Sequence, residues 1–426
     1  MMEDITPSDS IDTSKEKKKS RRPANTAFRQ QRLKAWQPIL TPKTVIPLFF
    51  VIGIICAPIG GLLIYASSTV KELRIDYTDC FRNAPNGSDS NVDALMDESL
   101  VFPSFPHNTT INAQWRRLSP INYTYGNFEV QNLTQCTLTF NIPEVMSPPV
   151  FLYYRIENFY QNHRRYVASF YDKQLLGDDV SVSDVDGSTC DPLTINDTSR
   201  QAYYPCGLIA NSVFNDTFGS PRLLNPTSDN DQANQLGQAY EMKDTSIAWE
   251  SDKDLFGPRS STNYDDILPP PNWQIRYPDG KYSADHPPPN LKEDEHFIVW
   301  MRTAGLPTFS KLYSRNDTTE MAIGTYSMDI IDNFRTDQYQ GRKSIVITTL
   351  SVMGGKNNFL GILWLVVGGF CIALALVFLA TNLIKPRKLG DHTYLSWNNV
   401  PSSAAAKGKG KASGPAIGLA TGRDLS

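Results

Sequence analysis

Residues Val45–Ala66 read VIPLFFVIGIICAPIGGLLIYA, and residues Phe359–Ile384 read FLGILWLVVGGFCIALALVFLATNLI. Both stretches are apolar on every face, whereas a helix on the surface of a soluble protein shows a polar stripe. They lie in segments without Asp, Glu, Lys or Arg, 44–70 and 357–384, which are 27 and 28 residues long. Because a bilayer core requires about 20 apolar residues in a helix, the sequence predicts two membrane-spanning helices.

The three polar segments that these helices separate differ in the sign of their charge. Residues 1–43 carry ten basic and five acidic residues, and residues 385–426 carry seven and two, so each terminal segment has a net charge of +5. The whole chain has a net charge of −3, which leaves −13 for residues 71–356. Lys and Arg near the ends of membrane helices favour the cytosolic side. We therefore expect cytosolic termini and a lumenal or extracellular middle segment.

The six cysteines agree with this topology. Cys56 and Cys371 lie inside the apolar stretches, where a small buried thiol is the simplest interpretation. The other four lie in the middle segment: Cys80, Cys136, Cys190 and Cys206. Four cysteines outside the cytosol predict two disulfides with three possible connectivities, and loop-closure entropy favours the sequential pairs. A zinc site is the alternative, although the segment has neither a Cys-x-x-Cys pair nor a suitably placed histidine.

Sequons for N-glycosylation, Asn-x-Ser/Thr, occur only between the two apolar stretches. Seven asparagines begin them: Asn86, Asn108, Asn122, Asn132, Asn196, Asn215 and Asn316. One sequon is a weak signal, but their clustering agrees with the charge and the cysteines on which segment is non-cytosolic. We predict that several of them carry glycans. Asn108, Asn122 and Asn132 are the best candidates because their surroundings are polar or rich in turn residues.

Both terminal segments are predicted to be disordered over most of their length, 1–24 and 385–426. The basic run Lys15–Lys19 either contacts anionic lipid or is simply solvated. Asn25–Gln37 predicts a short helix at the cytosolic membrane interface, with three large apolar residues near one side: Phe28, Leu33 and Trp36. The first apolar stretch is too deep in the chain and too long for a signal peptide, so we expect no cleavage.

Small residues recur every four positions in the first apolar stretch, at Gly53, Ala57 and Gly61. On a helix this spacing makes one smooth face, which permits close helix packing in lipid. Two interpretations are open: the face packs against the protein's own second helix, or it binds a helix of a partner protein. With only two membrane helices, the chain leaves much lipid-facing surface for such a partner.

The segment between the apolar stretches is predicted to be mainly β. Three runs rich in β-branched and aromatic residues predict strands: His296–Met301, Ala322–Ile331 and Ser344–Val352. Tyr153–Gln161 and Arg164–Tyr171 mix strand and helix signals. Residues 219–292 are polar and rich in proline, which predicts a long irregular excursion across the surface of the domain.

Motifs of known enzyme classes are absent from the sequence, which has no Gly-x-Ser-x-Gly, His-Glu-x-x-His or Gly-x-x-x-x-Gly-Lys-Ser/Thr. His296 follows Asp294 and Glu295, but a strand start with solvated charges is the simpler interpretation. The apolar stretches contain no charge, which argues against an ion pathway through this chain. We expect a non-catalytic protein with no cofactor, no metal and no nucleic-acid partner.

Six strings closely resemble one protein family: Asp76–Cys80 (DYTDC), Tyr153–Tyr166 (YYRIENFYQNHRRY), Pro205–Asn211 (PCGLIAN), Asn215–Thr217 (NDT), Phe297–Tyr313 (FIVWMRTAGLPTFSKLY) and Lys343–Leu360 (KSIVITTLSVMGGKNNFL). This is the cell division control protein 50 family, also called the ligand-effect modulator family. The similarity runs in order from about Ala24 to Ile384, and the terminal segments show none. Only four cysteines lie outside the membrane here, so the additional bridges of some relatives cannot form.

The resemblance implies an accessory β-subunit of a type IV P-type ATPase, a phospholipid flippase. In that family the catalytic subunit hydrolyses ATP and moves phospholipid to the cytosolic leaflet, and the accessory subunit forms a heterodimer with it. The accessory subunit helps its partner leave the endoplasmic reticulum for the Golgi, endosomes or plasma membrane, and supports its reaction cycle. The resemblance also implies an antiparallel, sandwich-like β ectodomain that covers the partner's extracytosolic loops.

Composition and topology alone also allow an independent cell-surface receptor or adhesion glycoprotein. The family strings argue against that class, because they extend through the domain, the juxtamembrane segment and the membrane segment together. A transporter in its own right is disfavoured because the chain has only two spans, both uncharged. Recovery of a stoichiometric ATPase on purification would separate these classes.

Overall fold

The structure is a computed structural model that describes residues 25–34, 40–87, 93–107, 110–125, 128–226, 237–351 and 354–386. The described chain divides into two compact units: one contains residues up to Ile55 and from Gly368 onward, and the other runs from Cys56 to Val367. The helices within these ranges are α1 (Pro42–Ser68), α2 (Cys80–Asn83), α3 (Arg164–Ala168), α4 (Asp172–Leu175), α5 (Val182–Asp186), α6 (Leu208–Asn211), α7 (Glu250–Lys253), α8 (Glu295–Met301) and α9 (Phe359–Ile384). The strands are β1 (Glu72–Asp76), β2 (Ala94–Leu95), β3 (Val101–Ser104), β4 (Gln114–Tyr125), β5 (Phe128–Ile142), β6 (Val150–Glu157), β7 (Ala202–Tyr203), β8 (Thr217–Phe218), β9 (Arg222–Pro226), β10 (Ile267–Leu268), β11 (Phe309–Asn316), β12 (Gly324–Ile331) and β13 (Arg342–Thr349).

Two helices, α1 and α9, are long and apolar enough to cross a membrane. Their bounds fall within two residues of the charge-free segments 44–70 and 357–384. Large apolar side chains on both helices are exposed, among them Leu62 at 68% and Phe370 at 64%. The core helix of a soluble protein would bury such side chains, so this exposure favours lipid as the environment of both helices.

The interfacial helix predicted at Asn25–Gln37 is not formed in the part of this segment that the structure describes. Its residues make isolated turns, one closed by a hydrogen bond of 2.9 Å from the Gln30 N–H to the Thr26 carbonyl. Gln31 has a φ of 54°, a left-handed conformation that interrupts a right-handed helix. The remainder of the segment, with Trp36, lies outside the described residues.

A first antiparallel sheet has five strands in the order β11-β6-β13-β1-β3. β13 lies at its centre, paired with β6 on one side and β1 on the other. The side chains of Lys343–Thr349 in β13 are all buried, which is the pattern of a strand covered on both faces.

A second antiparallel sheet has the order β2-β4-β5-β12-β8, and β9 also pairs with β12. β12 buries alternate side chains, including Tyr326 and Met328, as a strand with one core face does. These join Leu152 and Ile345 of the first sheet in a single hydrophobic core. The predicted fold class is confirmed: two apolar helices, an antiparallel, sandwich-like, mainly-β domain and two disulfides.

The strand predicted at His296–Met301 is wrong, because this run lies in helix α8. The Asp294 carboxylate caps the helix by accepting a hydrogen bond of 2.9 Å from the Phe297 N–H. A short apolar run has the same composition in a buried strand and in a buried helix, so only the capping residue distinguishes them.

The predicted excursion, 219–292, is more ordered than its composition indicates. Within its described residues it forms β9, α7, β10 and two short 3₁₀ helices. Trp273, Tyr282 and Leu291 from this segment are buried in a second hydrophobic cluster, which also contains Phe297 of α8. The proline-rich chain therefore covers α8 as a packed layer.

Candidate functional site

The membrane helices approach each other through glycines. In the unit Cys56–Val367, a Cβ atom added to Gly60 would lie 2.8 Å from the Leu365 nitrogen and 2.9 Å from the Gly361 oxygen. A Cβ atom added to Gly361 would lie 2.9 Å from the Ile64 nitrogen. These contacts are between backbones, so neither glycine has room for a side chain.

The predicted small-residue face is divided between two environments. In the unit that contains Gly53, a Cβ atom there would lie 2.5 Å from Ile372 Cγ1 and 3.0 Å from the Gly368 oxygen, so this glycine packs against the protein's own second helix. Ala57 is half-buried, and among the described residues no atom beyond the neighbouring residues and backbone of α1 itself comes within 4 Å of a Cβ added to Gly61. Of the three predicted residues, Gly61 is thus the one with open space beside it in the described part of the chain, and the four-residue spacing does not include Gly60.

Disulfides join the pairs that loop-closure entropy favours, Cys80–Cys136 and Cys190–Cys206. Their Cα atoms are 6.2 Å and 5.7 Å apart, within the usual range for a disulfide. The first bridge ties α2 to β5, and the second holds the segment that precedes α6. Among the described residues, no cluster of three or more His, Cys, Asp or Glu side chains could hold a metal ion.

The sequon asparagines differ in accessibility. Asn122 and Asn132 are exposed on the β4–β5 hairpin, three others are half-buried (Asn86, Asn196 and Asn215), and Asn108 lies outside the described residues. Asn316 is buried, and its Nδ2 donates hydrogen bonds of 2.7 Å to the Glu241 carbonyl and to Thr319 Oγ1. Both of its amide hydrogens are therefore engaged, whereas a glycan must replace one of them.

We predict that glycopeptide mapping of the chain from a eukaryotic host finds glycans at Asn122 and Asn132 and none at Asn316. The reason is that the exposed hairpin leaves the amide accessible, whereas the fold buries the Asn316 amide. Asn316→Gln should leave the electrophoretic mobility unchanged, and Asn122→Gln, the matched control, should increase it. A glycan at Asn316 would contradict the prediction.

A buried charge centre lies where the first sheet meets the loops of the second. Lys343 Nζ is 2.7 Å from Asp216 Oδ2 and 2.8 Å from Asp332 Oδ1, and it donates a third hydrogen bond of 2.7 Å to the Phe334 carbonyl. The two carboxyl side chains are 0% exposed and the lysine side chain is 3% exposed. Charges removed from water in this way require full pairing.

The two carboxylates of this centre differ in how they are satisfied. Asp216 accepts hydrogen bonds from the Tyr77 hydroxyl (2.8 Å) and from the N–H groups of Asn333 and Phe334 (both 2.6 Å). Asp332 Oδ2 is buried and has no hydrogen-bond partner in the part of the chain that the structure describes. Burial raises the pKa of Asp332 above its ordinary value, although the Lys343 ammonium opposes this effect. The carboxylate of Asp332 is therefore stabilised by fewer hydrogen bonds than that of Asp216.

The buried lysine of another string, Lys311 of β11, has a related role. Its Nζ donates hydrogen bonds to the carbonyls of Val299 (2.7 Å), Trp300 (3.1 Å) and Arg302, which satisfy carbonyls at the C-terminus of α8. Burial, together with the nearby Arg302 guanidinium, lowers the pKa of Lys311 to about 7.

Three of the six family strings meet at this charge centre. Tyr77 lies in DYTDC, Asp216 in NDT and Lys343 in KSIVITTLSVMGGKNNFL. In a fourth string, FIVWMRTAGLPTFSKLY, Lys311 near the end donates hydrogen bonds to backbone carbonyls near the beginning. Four of the six strings therefore contribute to two buried polar clusters, one around Lys343 and one around Lys311.

The model of one protein family, described as the LEM3 (ligand-effect modulator 3) family / CDC50 family, matches residues 63–388. The chain belongs to this family. It is 45% identical over 386 residues to the phospholipid-transporting ATPase accessory subunit CDC50 of Chaetomium thermophilum, covering 88% of this chain and 91% of that protein. It is 39% identical over 382 residues to the phospholipid-transporting ATPase accessory subunit CRF1 of Saccharomyces cerevisiae, and the alignment covers 89% of this chain and 90% of that protein. It is 37% identical over 377 residues to cell cycle control protein 50A of Mus musculus, and the alignment covers 85% of this chain and 90% of that protein.

The CDC50/LEM3 match contains the whole charge centre, the four disulfide cysteines and all of α9. It includes only the last turns of α1. The resemblance inferred from the six strings is confirmed, and four of these strings form the buried polar clusters in the ectodomain of this CDC50/LEM3 chain.

Proposed function

We propose that this protein is the non-catalytic accessory β-subunit of a type IV P-type ATPase that moves phospholipid to the cytosolic leaflet. The observation that carries the proposal is the similarity, over about nine-tenths of the chain, to proteins named as accessory subunits of phospholipid-transporting ATPases. The termini lie in the cytosol, and the acidic ectodomain faces the lumen or the outside of the cell. The subunit stabilises the ATPase, accompanies it out of the endoplasmic reticulum to later membranes and supports its reaction cycle.

The exposed surface of α1 offers a place for a partner helix. In the unit Cys56–Val367, Pro58, Gly61 and Tyr65 are exposed and recur at the spacing of one helix face. Gly61 forms a notch in this face, since no other described part of the chain lies within 4 Å of the position that its side chain would occupy. In lipid, helices associate through close packing of this kind because no hydrophobic effect drives them together.

Attachment to the ATPase is shared among several weak contacts. The α1 face contributes in the membrane, the ectodomain contributes through shape and polar contacts with the partner's loops, and the segment that precedes α1 contributes on the cytosolic side. Contacts joined in one chain raise each other's effective concentration, so the complex persists although each contact is weak.

The test compares leucine substitutions at two adjacent glycines. Gly61→Leu should reduce co-purification of the ATPase by about five-fold, without abolishing it, because it fills the notch. The chain itself should remain folded, since Gly61 has open space. Gly60→Leu, the matched control, should reduce the yield of folded chain, because the new side chain meets the backbone of Gly361 and Leu365.

Quantitative mass spectrometry of the affinity-purified chain and its melting curve provide the two measurements. Absence of a roughly stoichiometric ATPase from the wild-type preparation would contradict the proposed function. Unchanged ATPase recovery with Gly61→Leu would instead reject only the assignment of this helix face.

A further inference from the structure

The membrane helices enclose a cleft at one end. It has a volume of about 550 Å³ and lies between the start of α1 and the last two turns of α9. Its walls are apolar, formed mainly by Val45, Ile46, Phe378 and Ile384. Phe378 and Lys385 at the rim are seven positions apart, so at 1.5 Å per residue the cleft extends about 10 Å along the helices.

The rim of the cleft is polar and basic. Thr41, Thr381, Asn382 and Lys385 line it at the ends of the helices. The side chains of Asn382 and Lys385 make no hydrogen bond or ion pair with any other described residue. The Thr381 hydroxyl donates to the Phe378 carbonyl at 3.0 Å, which leaves its oxygen able to accept. These groups are available to a ligand.

The surrounding sequence has one sign of charge. No Asp or Glu occurs between Asn25 and Lys71 or between Lys356 and Gly390, whereas Lys43 and Lys385 flank the ends of the two helices. An apolar wall that ends in an uncompensated basic rim is complementary to a molecule with a hydrocarbon chain and an anionic head. The cytosolic leaflet supplies such molecules and attracts basic juxtamembrane segments.

We propose that this cleft binds one anionic glycerophospholipid of the cytosolic leaflet. An acyl chain lies against Val45, Ile46 and Phe378, and the phosphate of the head group lies at Lys385 and Asn382. The assignment of this end to the cytosolic leaflet rests on the proposed function. The lipid fills the gap between the two helices and thereby supports their packing at this end.

Native mass spectrometry of the delipidated full chain in detergent tests this proposal. Palmitoyl-oleoyl phosphatidylserine and palmitoyl-oleoyl phosphatidylcholine are the probes, each titrated separately. We expect one phosphatidylserine adduct at low lipid concentration, with an apparent affinity at least five-fold above that of phosphatidylcholine. Equal affinity for the two lipids would overturn the proposal, as would competition by free inorganic phosphate at equal concentration.

Two pairs of variants locate the site. Thr381→Trp should fill the cleft and remove the adduct, whereas Leu383→Trp, an exposed residue outside the lining, should retain it. Lys385→Gln should reduce the preference for phosphatidylserine by about five-fold, the factor expected for one lysine near a lipid surface. Lys34→Gln, the same charge change outside the cleft, should leave the preference unchanged. Equal effects within either pair would reject the site.

A partner helix is the competing occupant of the cleft. In the complex with the ATPase, Thr381→Cys should not form a cross-link to the catalytic subunit with a short bifunctional thiol reagent. A specific cross-link to a membrane helix of that subunit would overturn the lipid assignment. Lipid binding by a chain that recovers no ATPase would leave this inference intact and reject the proposed function, so the two failures can be distinguished.

Discussion

Replacing Lys343 by methionine is expected to lower the free energy of unfolding of the ectodomain by about 3–5 kcal/mol. Lys343 pairs with both Asp216 and Asp332, whose carboxyl side chains are 0% exposed. Methionine has a similar length but no charge, so the variant leaves two carboxylates that water cannot reach. Thermal or denaturant unfolding of the full chain in detergent, followed by tryptophan fluorescence, measures the loss.

The adjacent Arg342 provides the matched control. Its side chain is 60% exposed and pairs with Asp76 at 3.5 Å. Asp76 also accepts hydrogen bonds from the Thr78 N–H (2.9 Å) and hydroxyl (2.6 Å), so Arg342→Gln should cost less than about 1 kcal/mol. Adding Asp332→Asn to Lys343→Met should restore part of the stability, because it removes the carboxylate that has an unsatisfied oxygen. A Lys343→Met chain as stable as the Arg342→Gln chain would show that the centre does not stabilise the fold.

The membrane helices could be predicted from the sequence because their signal is local. A run without charge, such as 44–70, identifies a span without any knowledge of the rest of the chain. The side of that helix that packs against a neighbour is harder to predict, because consecutive residues point about 100° apart around a helix. Gly60 and Gly61 therefore differ completely in environment, and a four-residue spacing alone selected Gly61 and omitted Gly60.

The charge centre could not be predicted from the sequence because its signal is not local. Lys343 and Asp216 are 127 residues apart in the chain, and only the packing of β13 against the loop before β8 brings them together. Among the 41 basic and 44 acidic residues of the chain, a single lysine just before the predicted strand Ser344–Val352 has the appearance of a solvated charge. The one available indication was its place in a family string, which does not specify its partners.

The error at α8 has a different cause. The run HFIVWM has the apolar and β-branched residues of a strand, and its burial in the structure is compatible with either a strand or a helix. Asp294 decides for the helix through its cap, and the packed segment around Trp273 supplies the surface that the helix covers. Because residues 219–292 are predicted to be a surface excursion, the prediction offers no buried partner against which a helix at this position could pack.

Replacing Cys190 and Cys206 together by serine is expected to lower the free energy of unfolding by about 3 kcal/mol, the chain-entropy value for a loop of this length. The two cysteines are 16 positions apart and buried. Their bridge fixes the segment before α6, whose carbonyls at Ile209 and Ala210 accept hydrogen bonds of 2.9 Å from the indoles of Trp300 and Trp273. Its loss should therefore loosen both hydrophobic clusters of the ectodomain.

Under the proposed function, this double substitution should reduce ATPase co-purification more than Gly61→Leu does, because it weakens the whole ectodomain whereas the glycine change affects one contact. A larger fraction of both subunits should retain endoplasmic-reticulum glycans that endoglycosidase H removes. Cys371→Ala, which removes a cysteine that forms no disulfide, controls for the loss of a thiol. If the double variant melted at a lower temperature than the wild type and still recovered as much ATPase as Gly61→Leu, the ectodomain would not be the dominant contributor to the complex, and attachment would have to reside mainly in the membrane helices.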